Sequence, residues 1–130
     1  MAKIHVLKDH GEIVHRLIQE LKRDPKIIFA YLYGSCAESR PFRDIDVGVF
    51  LRDPHPHIQT AILLAQRLSS ALQMPVDVRP LNHAPNSFLY HVFRGKLLIS
   101  HDDDFLSDLI ETTARPVSYT HLTLPTNREV

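Results

Sequence analysis

The sequence is poor in the features that mark secreted, membrane and polyanion-binding proteins. Its single cysteine, Cys36, excludes a disulfide within the chain and suits a reducing compartment. No apolar run approaches the roughly 18 residues of a membrane span, and no secretory hydrophobic region follows Met1. Lysine plus arginine and aspartate plus glutamate both number 15, so no basic surface for general nucleic-acid binding is expected. We therefore expect a cytoplasmic protein that binds neither membranes nor nucleic acid directly.

The residues that are present fit one small domain followed by an unrelated tail. The chain has 130 residues, of which 44% are hydrophobic, enough for a single core. From Pro116 to Val130 no helical or strand periodicity continues the preceding pattern, and this stretch resembles a translated transposase sequencing adaptor. We therefore expect a domain over residues 1–115, truncated at its C-terminal side, and a non-native tail over residues 116–130.

Hydrophobic periodicity predicts four helices and four strands in alternating blocks. Apolar residues at helical spacing predict helices over Asp9–Arg23, His57–Gln73, Asn82–Gly95 and from Asp102 or Asp103 to Thr113. Apolar and β-branched runs predict strands over Lys26–Tyr33, Asp44–Leu51, Val76–Arg79 and Lys96–Ser100. The order α-β-β-α-β-α-β-α predicts an α/β (α+β) fold, a small mixed β-sheet flanked by helices.

The first two predicted strands are joined by a segment with two chemical signals. Gly34 allows close backbone approach, and Ser35 adds a hydroxyl donor at a turn whose N–H groups can attract phosphate. Asp44 and Asp46 are two residues apart on a predicted strand, so they point to one face, where they repel each other unless a cation lies between them. Mg²⁺ is usually bound by one or two carboxylates plus substrate phosphates. The pair of signals predicts a site for a nucleoside triphosphate with Mg²⁺.

A third carboxylate, Asp77, lies in the short third strand between two valines that face the other way. If that strand neighbours the second, Asp77 completes a triad that could hold metal ions. It would also be placed to act as general base for an acceptor hydroxyl. Arg40, Arg43 and Arg79 are candidates for binding phosphate charge.

Each of these signals has a simpler structural explanation when it stands alone. The pair Asp44 and Asp46 could be a solvated strand edge, and Asp77 with Arg79 could be a surface ion pair. The nine histidines are best explained as scattered surface residues, and Cys36 as a small buried residue. The conjunction of the Gly-Ser turn, the Asp-x-Asp strand and a third aspartate is hard to explain by packing alone.

These motifs together resemble the minimal nucleotidyltransferases of the polymerase-beta superfamily, over roughly Lys26 to Asp104. The segment from Tyr31 to Ala37 resembles the Gly-Ser motif of that family, and Arg43 to Val49 its Asp-x-Asp strand. The segment from Pro75 to Pro85 is similar to the third-carboxylate strand of the antitoxin subgroup, and Arg94 to Leu98 resembles the strand that follows.

The resemblance implies a fold, a reaction and a partner. It implies a sheet flanked by helices, Mg²⁺ with ATP as donor, and transfer of AMP to a tyrosine hydroxyl on a HEPN-type ribonuclease toxin in a hetero-oligomer. Asp44, Asp46 and Asp77 would be the catalytic metal ligands, and Gly34 and Ser35 would hold the triphosphate. Arg40 and Arg43 would contribute to nucleotide binding.

Two other functions remain open at the level of sequence. Eight residues separate Ser35 from Asp44, fewer than in many members, and Glu38-Ser39 stands where a glycine is often found. A binding module that neutralises its partner by covering it, without catalysis, is therefore one alternative. A nucleotidyltransferase acting on a small molecule is another, although such enzymes usually carry a second substrate domain.

Overall fold

The computed structural model describes residues 10–38, 44–52 and 57–114. The elements run in the order α1 (His10–Leu21), β1 (Ile27–Tyr33), β2 (Ile45–Leu51), α2 (His57–Leu72), β3 (Val76–Pro80), α3 (Asn86–Phe93), β4 (Lys96–Ser100) and α4 (Asp103–Ala114). The predicted α-β-β-α-β-α-β-α order and the predicted fold class are confirmed. Arg40, Arg43 and the tail over residues 116–130 lie outside the described residues.

Short-range polar contacts set the ends of several elements. α1 ends before Asp24, whose carboxylate accepts a hydrogen bond from the Lys26 N–H at 3.0 Å, and proline at position 25 disfavours a helical residue before it. Of the two predicted caps of α4, the structure selects Asp102, which accepts the Phe105 N–H at 3.0 Å. β2 begins at Ile45, so Asp44 precedes the strand instead of opening it as predicted.

The four strands form one mixed sheet in the order β3-β2-β1-β4. β1 pairs antiparallel with β2 and with β4, whereas β2 and β3 are parallel and are joined through α2. A parallel pair needs such a crossover, because its strands start at the same end of the sheet. β3 and β4 are therefore the two edge strands, and β2, with the Asp-x-Asp motif at its start, lies inside the sheet.

The two faces of the sheet bury different kinds of side chain. Alternation along β1 sends Ala30 and Leu32 to the face covered by α1 and α2, and Phe29, Tyr31 and Tyr33 to the face covered by α3 and α4. The first face packs aliphatic residues of both helices. The second face is aromatic and becomes polar towards the end of β1. Within the described ranges, no helix is long and apolar enough to cross a membrane.

Candidate nucleotidyl-transfer site

Three strands bring an aromatic and two carboxylate residues into one row on the second face. Asp46 in β2 is the register partner of Tyr33 in β1 and of Asp77 in β3. Partners in adjacent strands point to the same face of a sheet, about 5 Å apart. The condition for the predicted triad, that the third strand neighbours the second, is therefore met. The valines that flank Asp77 are buried on the opposite face, as expected.

Asp44 lies in the bend that precedes β2, and its negative charge acts on Asp46. Burial raises the pKa of Asp46 above its usual value, and the negative charges of Asp77 and Asp44 raise it further. The positive charges of Arg79 and His91 oppose that rise. The charges of both other predicted carboxylates thus act on Asp46. A cation placed beside Asp46 would relieve a repulsion that Arg79 and His91 offset only in part.

The Gly-Ser turn is fitted closely around the Asp46 carboxylate. Gly34 has a φ of +81°, which side chains with a Cβ rarely adopt, and a Cβ built there would lie 2.6 Å from Asp46 Oδ2. The Glu38 N–H donates to the carbonyl oxygens of Gly34 (3.3 Å) and Ser35 (3.1 Å), so the chain makes a single turn after β1. Over residues 34–38 the chain is thus a hydrogen-bonded turn.

A polar pocket of about 430 Å³ opens beside this turn. One wall is Gly34, Ala37 and Glu38, and the other is His91 and Arg94 on α3 and its C-cap. The His91 ring packs edge-on against Tyr33, with 5.7 Å between the ring centroids. The pocket therefore has a glycine turn on one side and two cationic or protonatable groups on the other, a setting suited to a phosphate chain.

The residues His91 and Arg94 were not predicted as site residues from the sequence. His91 had been grouped with the scattered surface histidines, because no second metal-binding residue stands near it in the sequence. One signal was present: the two residues are three apart on a helix, so they lie on one side of it, and the helix ends at Gly95. A Cβ at Gly95 would overlap the Leu32 carbonyl, so β4 can start close against β1 only with glycine there.

Arg79, a predicted phosphate ligand, has its own partners. Its Nε lies 3.7 Å from Asp77 Oδ2, and its guanidinium lies over the Phe88 ring, 5.6 Å from the centroid. The ion pair is solvent-exposed on both sides and contributes little to stability. The surface ion pair considered from the sequence is thus present, and it is part of the same row as Asp46.

The arrangement of the ligating side chains determines how the site could bind a metal ion. Among residues 10–38, 44–52 and 57–114, no three His, Cys, Asp or Glu side chains converge tightly enough to enclose a metal ion by themselves. The donor set nevertheless fits Mg²⁺, which takes one or two carboxylates and completes its shell with phosphate and water. A closed protein cage is not required for a cation that arrives with a nucleotide.

Cys36 is buried, as predicted from the sequence. It is 1% exposed, and its carbonyl oxygen lies 2.6 Å from His10 Nε2 in α1. Burial raises the pKa of its thiol to about 11, and the nearby charge of Asp46 raises it in the same direction. The thiol therefore stays neutral near pH 7 and is a packing residue, not a nucleophile.

Comparison with known proteins places this site in a family. The family model described as "Polymerase beta, Nucleotidyltransferase" matches residues 15–104. A chain of a mutant MntA–HpeT toxin–antitoxin crystal structure is 30% identical, with a TM-score of 0.66 over 82% of this chain and 85% of that one. No curated protein sequence matches the chain significantly.

Two further solved structures resemble the chain. A chain in the complex of tri-AMPylated Shewanella oneidensis HEPN toxin with MNT antitoxin is 27% identical, with a TM-score of 0.66 over 87% of this chain and 88% of that one. A chain of a toxin–antitoxin structure with AMP-PNP is 29% identical, with a TM-score of 0.66 over 83% and 87%. Because the family model covers most of the sequence and the site motifs lie within it, the chain belongs to the polymerase beta nucleotidyltransferase family.

Proposed function

We propose that this nucleotidyltransferase is the antitoxin of a two-gene pair and transfers AMP from ATP to a tyrosine hydroxyl of a HEPN-type toxin. The observation that carries the proposal is the register of Asp46 with Asp77, with Asp44 beside them and the Gly-Ser turn against Asp46. Supporting it, the similar structures include a tri-AMPylated HEPN toxin bound to an MNT antitoxin and a complex with AMP-PNP. We further propose that the pair acts in the cytoplasm as a hetero-oligomer.

The donor nucleotide would lie in the pocket between the Gly-Ser turn and α3. The backbone at Gly34 and the hydroxyl of Ser35 would hold the triphosphate, and His91 and Arg94 would balance part of its charge from the other wall. The predicted contributions of Arg40 and Arg43 lie outside the described residues. The polar lining suits a charged chain better than it suits an apolar ligand.

The carboxylates would hold Mg²⁺ and handle the acceptor proton. Asp44, Asp46 and Asp77 would be the protein ligands, and the metal would neutralise phosphate charge and align the triphosphate. In the reaction the acceptor oxygen forms a bond to the α-phosphorus of ATP. The bond from that phosphorus to the bridging oxygen breaks, and pyrophosphate leaves with the electron pair. The hydroxyl proton passes to the Asp77 carboxylate, which is exposed at the edge of the sheet.

One observation supports a second candidate function, a binding module that neutralises the toxin by covering it. Glu38 places a negative charge on the wall of the nucleotide pocket, where it would repel a triphosphate. In that case the antitoxin would retain the fold and the partner but not the transfer reaction.

The decisive experiment compares transfer with protection. Asp44→Asn combined with Asp46→Asn should abolish label transfer from α-labelled ATP to the toxin, while the fold and the complex persist. Asp104→Asn combined with Asp108→Asn, two exposed changes on α4, is the matched control for loss of two charges and should transfer normally. Unchanged labelling in the Asp44/Asp46 variant would overturn the transfer proposal. Full protection of cells by that unlabelled variant would favour the binding module.

A further inference from the structure

A second cleft, of about 510 Å³, is lined by residues of α2, β3 and α3 and of the segment that joins β3 to α3. We call it the edge cleft and define it by the side chains His57, Ile58, Arg79, Asn82, His83 and Phe88. Most of its lining is apolar or aromatic, and among the described residues none that lines it is acidic. The edge cleft shares no lining residue with the nucleotide pocket, and of the candidate phosphate ligands it includes Arg79.

The edge cleft opens beside the third carboxylate. Arg79, one of its walls, contacts the Asp77 carboxylate at 3.7 Å and covers the Phe88 ring at 5.6 Å. Phe88 and His91 are three apart on α3, and both pack against Tyr33. Phe88 lines the edge cleft, and His91 lines the nucleotide pocket. Two neighbouring side chains of α3 that both contact Tyr33 thus line two different cavities, one beside Gly34 and one beside Arg79.

An exposed apolar stripe on α2 continues the cleft outward. Ile58 and Ile62 are 68% and 54% exposed, although other apolar residues of α2 are buried. They are four residues apart, so they lie on one side of the helix. Ile58 also lines the edge cleft, so stripe and cleft form one surface, whose Arg79 contacts Asp77. Exposed apolar side chains that adjoin a cleft are typical of a surface that meets another protein.

We infer that this surface, the edge cleft with Ile58 and Ile62, docks the acceptor segment of the toxin. The inference rests on the proposed function and extends it. A tyrosine ring fits between the Arg79 guanidinium and the apolar wall, where stacking on a planar cation is favourable. Its hydroxyl would then reach the Asp77 carboxylate, which takes the proton as the oxygen bonds to the α-phosphorus and pyrophosphate leaves. An apolar face of the toxin would cover Ile58 and Ile62.

The lining also distinguishes this occupant from the nucleotide. A triphosphate in the edge cleft would contact one guanidinium, that of Arg79, which is already paired with Asp77. The remaining walls are mainly apolar. An aromatic side chain of a protein would contact both the Phe88 ring and the Arg79 guanidinium. The residues next to it in its own chain would contact the α2 stripe.

The test uses two aspartate substitutions on the same helix. Ile58→Asp places a charge in the docking surface, whereas Leu63→Asp is the matched control. Leu63 is 65% exposed but lines a different hollow, next to Asp24 and Lys26. For Ile58→Asp we expect the KM for toxin and the Kd of the complex to rise by about tenfold or more, as for a substituted interface anchor. The affinity for AMP-PNP should stay within about twofold, and Leu63→Asp should match wild type in all three measurements.

Each outcome bears on one proposal. Equal effects of Ile58→Asp and Leu63→Asp on toxin binding would overturn the inference. Weaker AMP-PNP binding in Ile58→Asp with unchanged toxin affinity would also overturn it, because the cleft would then hold part of the donor. If wild type binds toxin but transfers no AMP, the proposed reaction fails. Selective loss of complex affinity in Ile58→Asp would then still support the docking surface, although not its use for an acceptor.

Discussion

Gly34→Ala tests how the Gly-Ser turn and the Asp46 carboxylate, a proposed metal ligand, depend on each other. The φ of +81° is unfavourable for alanine by about 1–2 kcal/mol. The lower entropy of the unfolded chain with alanine returns about 0.4–1 kcal/mol. The new Cβ would lie 2.6 Å from Asp46 Oδ2, so the carboxylate must rotate or the turn must shift. Because that oxygen is the end of a side chain, moving it costs less free energy than moving backbone.

We expect a modest loss of stability and a larger loss of activity. The free energy of unfolding should fall by about 1 kcal/mol, or a few degrees in Tm. A misplacement approaching 1 Å of a group that positions substrate can cost about 100-fold in rate, so AMP transfer should fall by roughly 10- to 100-fold. Thermal unfolding and the rate of label transfer at saturating ATP measure the two effects separately.

Two companion variants separate the causes. Asparagine tolerates a positive φ but carries a Cβ, so Gly34→Asn should recover part of the stability without recovering transfer. Gly48→Ala, on the same face of β2, only moves Leu81, whose Cδ2 would lie 3.1 Å from the new Cβ. It should leave transfer per folded molecule within about twofold of wild type, since it disturbs no site residue. Wild-type transfer by Gly34→Ala would refute the argument that the glycine makes room for the carboxylate.

Three further expectations follow from single positions. Arg94→Ala should raise the Kd for AMP-PNP by about fivefold in calorimetry, because a partly exposed charged contact contributes roughly 1 kcal/mol. Arg23→Ala, a change of a residue that follows α1, is the control and should leave that Kd unchanged. Gln73, which follows α2 with a φ of +60°, should gain about 0.5–1 kcal/mol of stability in urea unfolding when changed to glycine, and no gain would show that the turn is unstrained. The Cys36 thiol has a native pKa of about 11 against 9.0 for a free thiol, so its stabilising effect is complete below pH 9 and is lost as the pH rises towards 11. Cys36→Ala should therefore flatten the fall in stability over that window, and native Cys36 should resist iodoacetamide at pH 8, whereas rapid labelling would show that the thiol is accessible.

The order of elements and the identity of the carboxylates could be predicted from the sequence because both depend on local patterns. Apolar spacing gave the helices and strands, and alternation placed Asp77 opposite its flanking valines. The register of Asp46 with Asp77 is different, since it depends on how α2 returns the chain to the sheet. The antiparallel pairing of β1 with β4 depends on contacts between residues far apart in the sequence. Neither the register nor the pairing has a local signal in the sequence. The sequence alone can therefore predict the triad only on the condition that β3 neighbours β2.

The two pocket residues that were not predicted from the sequence show the same limit for the functional site. His91 and Arg94 carry no motif, and they reach the site only because α3 crosses the sheet face on which Tyr33 and Asp46 lie. The helix has two roles there, because Phe88 packs towards the edge cleft and His91 towards the nucleotide pocket. The buried side chains of Leu89 and Val92 anchor this helix to the aromatic face. Substitutions in that anchor should therefore disturb donor and acceptor binding together, unlike Arg94→Ala or Ile58→Asp, each of which should affect one substrate alone.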